Sequence, residues 1–241
     1  MRHLKRAAQG LEIAPGIRLS DHLYTHAIDY EKRRVHARLR AAAETWPPEF
    51  APQAFLLLEA SEVTSSEVVT GLGTVEIRNR IQHTGIIRAE VEPPFLVLAV
   101  VGEHSRREGY LALRAYAQPV FSGNQFVPAE REHDRDVLRA LQQAQYELRR
   151  LGVRMAVKKV LFDITLAAGS ARPDFLVALL DEHSGVECKF ALQILQSDDA
   201  DYLELRSIER ERLGQAGLVV SMAVSSVTPE AIISEARRIL E

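Results

Sequence analysis

Val137, Leu141, Ala144, Leu148 and Leu151 recur at the i, i+4, i+7, i+11 and i+14 spacing that puts them on one side of a helix, and Gly152 ends it. Three short apolar runs follow, at 157–167, 174–180 and 185–191, each of strand length. A second helix is expected over 198–215 after an Asp/Ser-rich cap, with Gly217 as its stop. The β-branched run 218–224 then reads as a buried strand, and Thr228-Pro229-Glu230 opens a last helix with proline in its first turn. The order is α-β-β-β-α-β-α. Three strands in succession form a meander, whereas the later strand–helix alternation needs a crossover, so the expected fold is α/β with a mixed sheet and helices on both faces.

Upstream, two further zones are legible. A helical stretch is expected over 20–45, with Ser20 or Asp21 as its cap and Trp46-Pro47-Pro48 as its stop. Lys32, Arg33, Arg34, Arg38 and Arg40 crowd two of its turns. They could meet phosphates, but such runs more often form a solvated face. His22 and His26 stand at i, i+4 without a third ligand nearby, and read as surface histidines rather than a metal pair. Trp46 reads as a packing anchor at a subdomain joint. From 54 to 126, apolar runs at 55–60, 74–77, 85–91, 95–101 and 110–117 are broken by Gly, Pro and Asn, which reads as a β-rich region of antiparallel strands. Gly71-Leu72-Gly73 lacks the lysine and helix of a phosphate loop and reads as a turn. The expected domains are 1–127, a helical segment with the β-rich region, and 128–241.

Composition narrows the class. Of 241 residues, 46% are hydrophobic and 26% charged, which excludes a disordered or collagen-like chain. No apolar run approaches the ~20 residues of a membrane span, and no apolar segment backs the basic residues of 1–10, so neither membrane insertion nor a signal peptide is expected. The single cysteine, Cys188, excludes an intrachain disulfide framework and suits a reducing, cytoplasmic location. The net charge of −3 decides nothing about nucleic acid, because a basic cleft fits within an acidic total.

The chemistry-bearing residues sit in the last zone. Within a strand, Glu187 and Lys189 share one face while Val186, Cys188 and Phe190 take the other. Residues 181–185 are turn-like, so 174–180 and 185–191 form a hairpin. A hairpin centred near Leu180 and Asp181 would set Asp174 opposite Glu187 and assemble a metal site. One centred at His183 would put several residues between them, to be recovered only by a bend or bulge at Pro173. Two carboxylates suit a hard cation, Mg²⁺ or Mn²⁺, that keeps positions for water and phosphate oxygens. Such a cation acidifies bound water, and Lys189 would orient that water and stabilise the charge of a phosphodiester under attack. The backbone carbonyl of Cys188 is a further candidate ligand.

Pro173-Asp174 and Glu187-Cys188-Lys189, set in this order of elements, resemble the PD-(D/E)xK nuclease superfamily, whose restriction-endonuclease-like fold has an αβββαβ core. The resemblance covers residues 128–241. It implies a metal-dependent DNA nuclease in which Asp174 and Glu187 bind the metal and Lys189 is the catalytic lysine. Many members add a carboxylate from the first helix, ahead of paired apolar residues. Here that pattern selects Asp134, where the family usually has Glu; Glu132 is the rival and Glu147 the third choice. Nucleases that make paired cuts often act as homodimers. The run 119–128 is also similar to families carried on plasmids and integrative elements, which implies a mobile-element partner protein.

Three alternatives stay open. Pro-Asp can be a plain turn and Glu187 with Lys189 a surface pair. The fold can serve as a non-catalytic nucleic-acid-binding or assembly module, since fold does not fix function. An α/β domain unrelated to nucleases would hold Asp174 and Glu187 far apart. Tyr202, Arg206 and Arg210, at i, i+4 and i+8, form either a stripe for the nucleic-acid backbone or a solvated face, and Arg149, Arg150, Arg154, Lys158 and Lys159 add positive charge nearby.

Overall fold

The computed structural model describes residues 2–84, 93–105, 107–123, 125–131, 133–167 and 169–241. The chain divides into two compact units, Met1–Glu132 and His133–Glu241.

In the first unit, strand Phe95–Ser105 is flanked by the antiparallel strands Gln53–Ala60 and Gly109–Ser122, and Gln125–Pro128 closes one edge. Two pairings are parallel: Leu23–Tyr24 with Gln53–Ala60, and Arg80–His83 with Gly109–Ser122. Alternation along Gln53–Ala60 buries Ala54, Leu56, Leu58 and Ala60, which meet Val35 and Leu39 of helix Arg34–Ala43 in one core. Glu67–Thr70 and Gly73–Glu76 form a tight hairpin, so Gly71-Leu72-Gly73 is a turn. The expected strand at 85–91 lies outside the described residues.

The single helix expected over 20–45 is interrupted. Leu19–His22 is one 3-10 turn, and Leu23 and Tyr24 leave the helical path to pair with Phe55 and Leu56. Helices Ala27–Glu31 and Arg34–Ala43 follow, separated at Arg33, whose φ of 56° is left-handed. His22 and His26 therefore do not share a helix face. His22 is buried edge-on against Trp46, with ring centroids 5.0 Å apart, which corrects the surface reading for that histidine. The cations of 32–40 are exposed, as a solvated face requires.

The second unit starts with helix α1 (Asp134–Arg150), whose buried face holds Val137, Leu141, Ala144 and Leu148. Gly152, at φ +79°, turns the chain into strand β1 (Val153–Lys159). A small hairpin, β2 (Ile164–Leu166) with β3 (Gly169–Ala171), comes before strands β4 (Phe175–Asp181) and β5 (Glu187–Leu195). Helix α2 (Ala200–Gly214) is capped by Asp199, whose side chain accepts from the Tyr202 N–H; strand β6 (Leu218–Ala223) and helix α3 (Pro229–Leu240) complete the unit. The sheet order is β1-β4-β5-β6, antiparallel except for the parallel β5–β6 pair, so the sheet is mixed.

Period two distributes the side chains between two faces. Met155, Phe175, Val177, Leu179, Phe190, Leu192 and Ile194 are buried on one, and Cys188, which shares it, reaches the Ile239 carbonyl of α3. Asp174, Gln193 and Ser221 belong to the other, where Arg206 of α2 meets Asp174. Helices α1 and α3 pack together on the first face and α2 on the second.

Candidate functional site

The position of the candidate site depends on the β4–β5 hairpin. Its register pairs Phe175 with Leu192, Val177 with Phe190 and Leu180 with Glu187, which centres the turn between His183 and Ser184. The Asp181 carboxylate holds that turn, accepting from the His183 N–H at 2.9 Å and the Ser184 hydroxyl at 2.7 Å. These donors hold the Asp181 carboxyl below its ordinary range. Gly185 closes the turn at φ +73°.

Asp174 and Glu187 are consequently not opposite each other. Six positions separate Asp174 from Leu180, the partner of Glu187, which amounts to roughly 20 Å along a strand. The ladder is regular, and no bend at Pro173 restores the pair. The structure therefore does not bring Asp174 together with Glu187 and the Cys188 carbonyl, since Cys188 pairs with Leu179 at the Glu187 end. Glu187 and Lys189 are exposed and 2.8 Å apart; the ion pair holds the carboxyl down and the ammonium up relative to their ordinary values.

Asp174, just before β4, bonds to β5 at Leu192 and Ile194, with Gln193 between them. The Asp174 N–H donates to the Leu192 carbonyl at 3.0 Å, and Asp174 Oδ2 accepts from the Ile194 N–H at 2.8 Å. The same Oδ2 accepts from Arg206 Nη2, and Arg206 Nη1 reaches Glu209 Oε2 at 2.7 Å. Gln193 is 1% exposed: its Nε2 donates to the Arg206 carbonyl at 3.0 Å and its Oε1 accepts from the Ser221 hydroxyl at 3.1 Å. The Tyr202 hydroxyl takes the Ile194 carbonyl and the Gln196 N–H. Tyr202 and Arg206 therefore turn inward, and the expected nucleic-acid stripe on this helix is not formed; only Arg210 of the three is exposed.

The first-helix candidates separate as well. Asp134, the first residue of α1, is buried and ion-paired with Lys159, whose ammonium also stands 5.8 Å from the Phe175 ring centre. Lys159 pairs with Phe175 in the sheet and shares its face, so Asp134 and Asp174 are neutralised from opposite faces of one sheet end. Glu147 lies near the exposed end of α1 with Arg150 at 3.2 Å. Glu132 lies outside the described residues.

Residues 130–239 match the family model described as a restriction endonuclease-like C-terminal domain. This domain belongs to the restriction-endonuclease-like PD-(D/E)xK superfamily. Residues 1–120 match a domain of unknown function, DUF8535. No curated protein and no solved structure matches the chain. The restriction-endonuclease-like domain thus supplies a nuclease-like scaffold, and the wide separation of Asp174 from Glu187 does not remove that relationship.

A hard divalent cation needs several oxygen ligands converging on one point. In the restriction-endonuclease-like domain, Asp174 Oδ2 already receives a guanidinium and a backbone N–H, and both ends of the Gln193 amide are engaged. Among the described residues no group of three or more His, Cys, Asp or Glu could hold a metal ion. The donors around Asp174 do not fit Mg²⁺. Gln193, not among the expected site residues, and Lys159, expected only as nearby positive charge, each left a signal. Gln193 is the lone amide within the apolar run 190–195, and Lys159 ends a strand in register with Phe175.

Proposed function

We propose that the restriction-endonuclease-like domain is a non-cleaving nuclease scaffold that binds nucleic acid. The observation that carries this reading is the β4–β5 register, which pairs Glu187 with Leu180 and leaves Asp174 bonded to Leu192 and Ile194 at the other end of the hairpin. One carboxylate already held by an arginine gives a phosphodiester no metal-activated water. Support for binding comes from Arg149, Arg150, Arg154 and Lys158, which are all exposed along the end of α1 and the edge strand β1. Phosphate contacts by such cations supply affinity independent of base sequence.

The experiment is a gel shift with duplex DNA, single-stranded DNA and RNA over a salt series, run alongside cleavage assays with Mg²⁺, Mn²⁺ or EDTA. Binding that weakens with salt is expected, with no cleavage products. The combined Arg149→Ala, Arg154→Ala, Lys158→Ala variant should lower the log–log salt slope by up to roughly 3. Unchanged binding by that variant removes these cations as the interface, and no binding by the wild type overturns the nucleic-acid assignment and leaves protein assembly as the scaffold's role. A second reading, a metal-dependent nuclease, is favoured by the family match over residues 130–239. Metal-dependent cleavage that Asp174→Asn abolishes would establish it instead.

A further inference from the structure

We propose that Arg206 is a resident cation: its guanidinium joins Asp174 and Glu209 and takes the charge position that a divalent ion would need there. The inference rests on the scaffold reading above and extends it to how the site is kept free of metal dependence.

The geometry is that of a cation bridging two carboxylates. Nη2 is on Asp174 Oδ2, Nη1 is 2.7 Å from Glu209 Oε2, and Nη2 also reaches the Ile194 carbonyl at 3.4 Å. The Arg206 side chain is 8% exposed and that of Asp174 12%, so neither charge has bulk water to stabilise it. Asp174 extends from the entry to β4 and Glu209 from α2, so the guanidinium ties a sheet end to the helix above it. The Gln193 amide, fixed between the Arg206 carbonyl and the Ser221 hydroxyl, extends the connection to β6. Arg206 is supplied by the chain itself, whereas a metal ion must be captured from solution. A simpler pair lies on the other face, where Lys159 meets the single carboxylate of Asp134 and both side chains are buried. Each buried carboxylate at this sheet end thus has a cation supplied by the chain itself.

With Arg206 replaced by a neutral side chain, Asp174 and Glu209 are left facing one charge vacancy. A divalent ion of modest coordination demand should fill it, keeping water on its remaining positions. Mn²⁺ binding to the full-length chain, read by the free-ion electron paramagnetic resonance signal and by the shift in unfolding midpoint, tests this. Wild type and Arg206→Lys should give superimposable Mn²⁺ titrations, with no midpoint shift that depends on Asp174. Arg206→Met should bind Mn²⁺ and regain part of its lost midpoint, and Asp174→Asn in that background should remove the gain. Mn²⁺ bound by wild type through Asp174, or an Arg206→Met variant as silent as wild type, overturns the proposal. Should Arg206→Met not accumulate in folded form, wild type against Glu209→Gln decides. Equal Mn²⁺ binding is expected, and a loss in Glu209→Gln overturns it. The two proposals fail separately. Cleavage insensitive to Asp174→Asn removes the scaffold reading alone, while Mn²⁺ on wild-type Asp174 removes the resident cation whether or not nucleic acid is cut.

Discussion

Asp174 bonds to β5 at Leu192 and Ile194, on either side of Gln193, and Arg206 donates to its carboxylate from the helix above. The end of the sheet where a nuclease would gather metal ligands is therefore closed by an ion pair and an amide.

Breaking the buried pair should be costly. Arg206→Met leaves Asp174 without its cation in a site of low exposure, and a loss of about 3–5 kcal/mol in unfolding free energy is expected. The double variant Arg206→Met, Asp174→Asn should lose less than the sum of the singles, because the second change removes the stranded charge. Urea unfolding of all four species, followed by circular dichroism, measures both.

Lys159→Met should act in the same way on the other face. Asp134 is 10% exposed at its side chain, and removal of Lys159 is expected to cost about 3–5 kcal/mol. Asp134 also sits in the first turn of α1, where the helix dipole favours a negative charge, so Asp134→Asn in the Lys159→Met background should not recover the whole loss. The same urea series applied to these variants checks it.

Glu187 and Lys189 should be dispensable for the fold. Both are exposed and paired with each other at the far end of the hairpin from Asp174. Glu187→Gln and Lys189→Ala should unfold at the wild-type midpoint, in low and in high salt, because exposed ion pairs contribute little. A thermal melt of each decides, and a large drop in midpoint would show a structural role that their exposure does not suggest.

The β4–β5 turn should respond at Gly185. At φ +73° nothing lies within 4 Å of a Cβ built there, so Gly185→Ala pays only for the left-handed backbone, about 1–2 kcal/mol. Hydrogen exchange should speed at the Asp181 N–H, which donates to the Val186 carbonyl across the turn at 3.0 Å, more than at Phe190 in the strand centre.

The first unit should lose stability in acid. Burial pushes the His22 imidazole below its ordinary 6.5; Arg38 adds to that and Asp21 opposes it. Burial also lowers His36, with Arg33 and Arg40 adding to it and a backbone hydrogen bond at Tyr110 opposing it. Folded chains then bind fewer protons than unfolded ones, so this stability is complete above pH 6.5 and is lost as pH falls through the lowered values. Trp46, the sole tryptophan, packs on His22 and reports the transition by fluorescence. In His22→Phe the pH dependence of its melting should flatten.

Much of the second unit was legible because its signals are local. The α1 stripe, the Gly152 stop, the Asp/Ser-rich start of α2, the Thr228-Pro229-Glu230 start of α3 and the apolar runs of β4, β5 and β6 each depend on residues a few positions apart. In the first unit the same reasoning ran 20–45 into one helix, because nothing local announces that Leu23 and Tyr24 will pair with Phe55 and Leu56 more than thirty residues on. The candidate site suffered for a related reason. Period two assigns Glu187 and Lys189 to one face whatever the register, so it could not say which residue stands opposite Asp174.

The sequence by itself determined the three helices of the second unit, the apolar runs of its main strands and the two-residue alternation within them, since these follow from spacing along the chain. It ran 157–167 into one strand, where β1 ends at Lys159 and the β2–β3 hairpin follows. The tertiary structure decided which charges meet. Asp181 caps a turn centred between His183 and Ser184, and that choice slides Glu187 away from Asp174 and brings Leu192 and Ile194 to it. Folding α2 over β5 then buries Arg206, and a carboxylate taken out of water must find a positive partner, which here is one the chain itself provides.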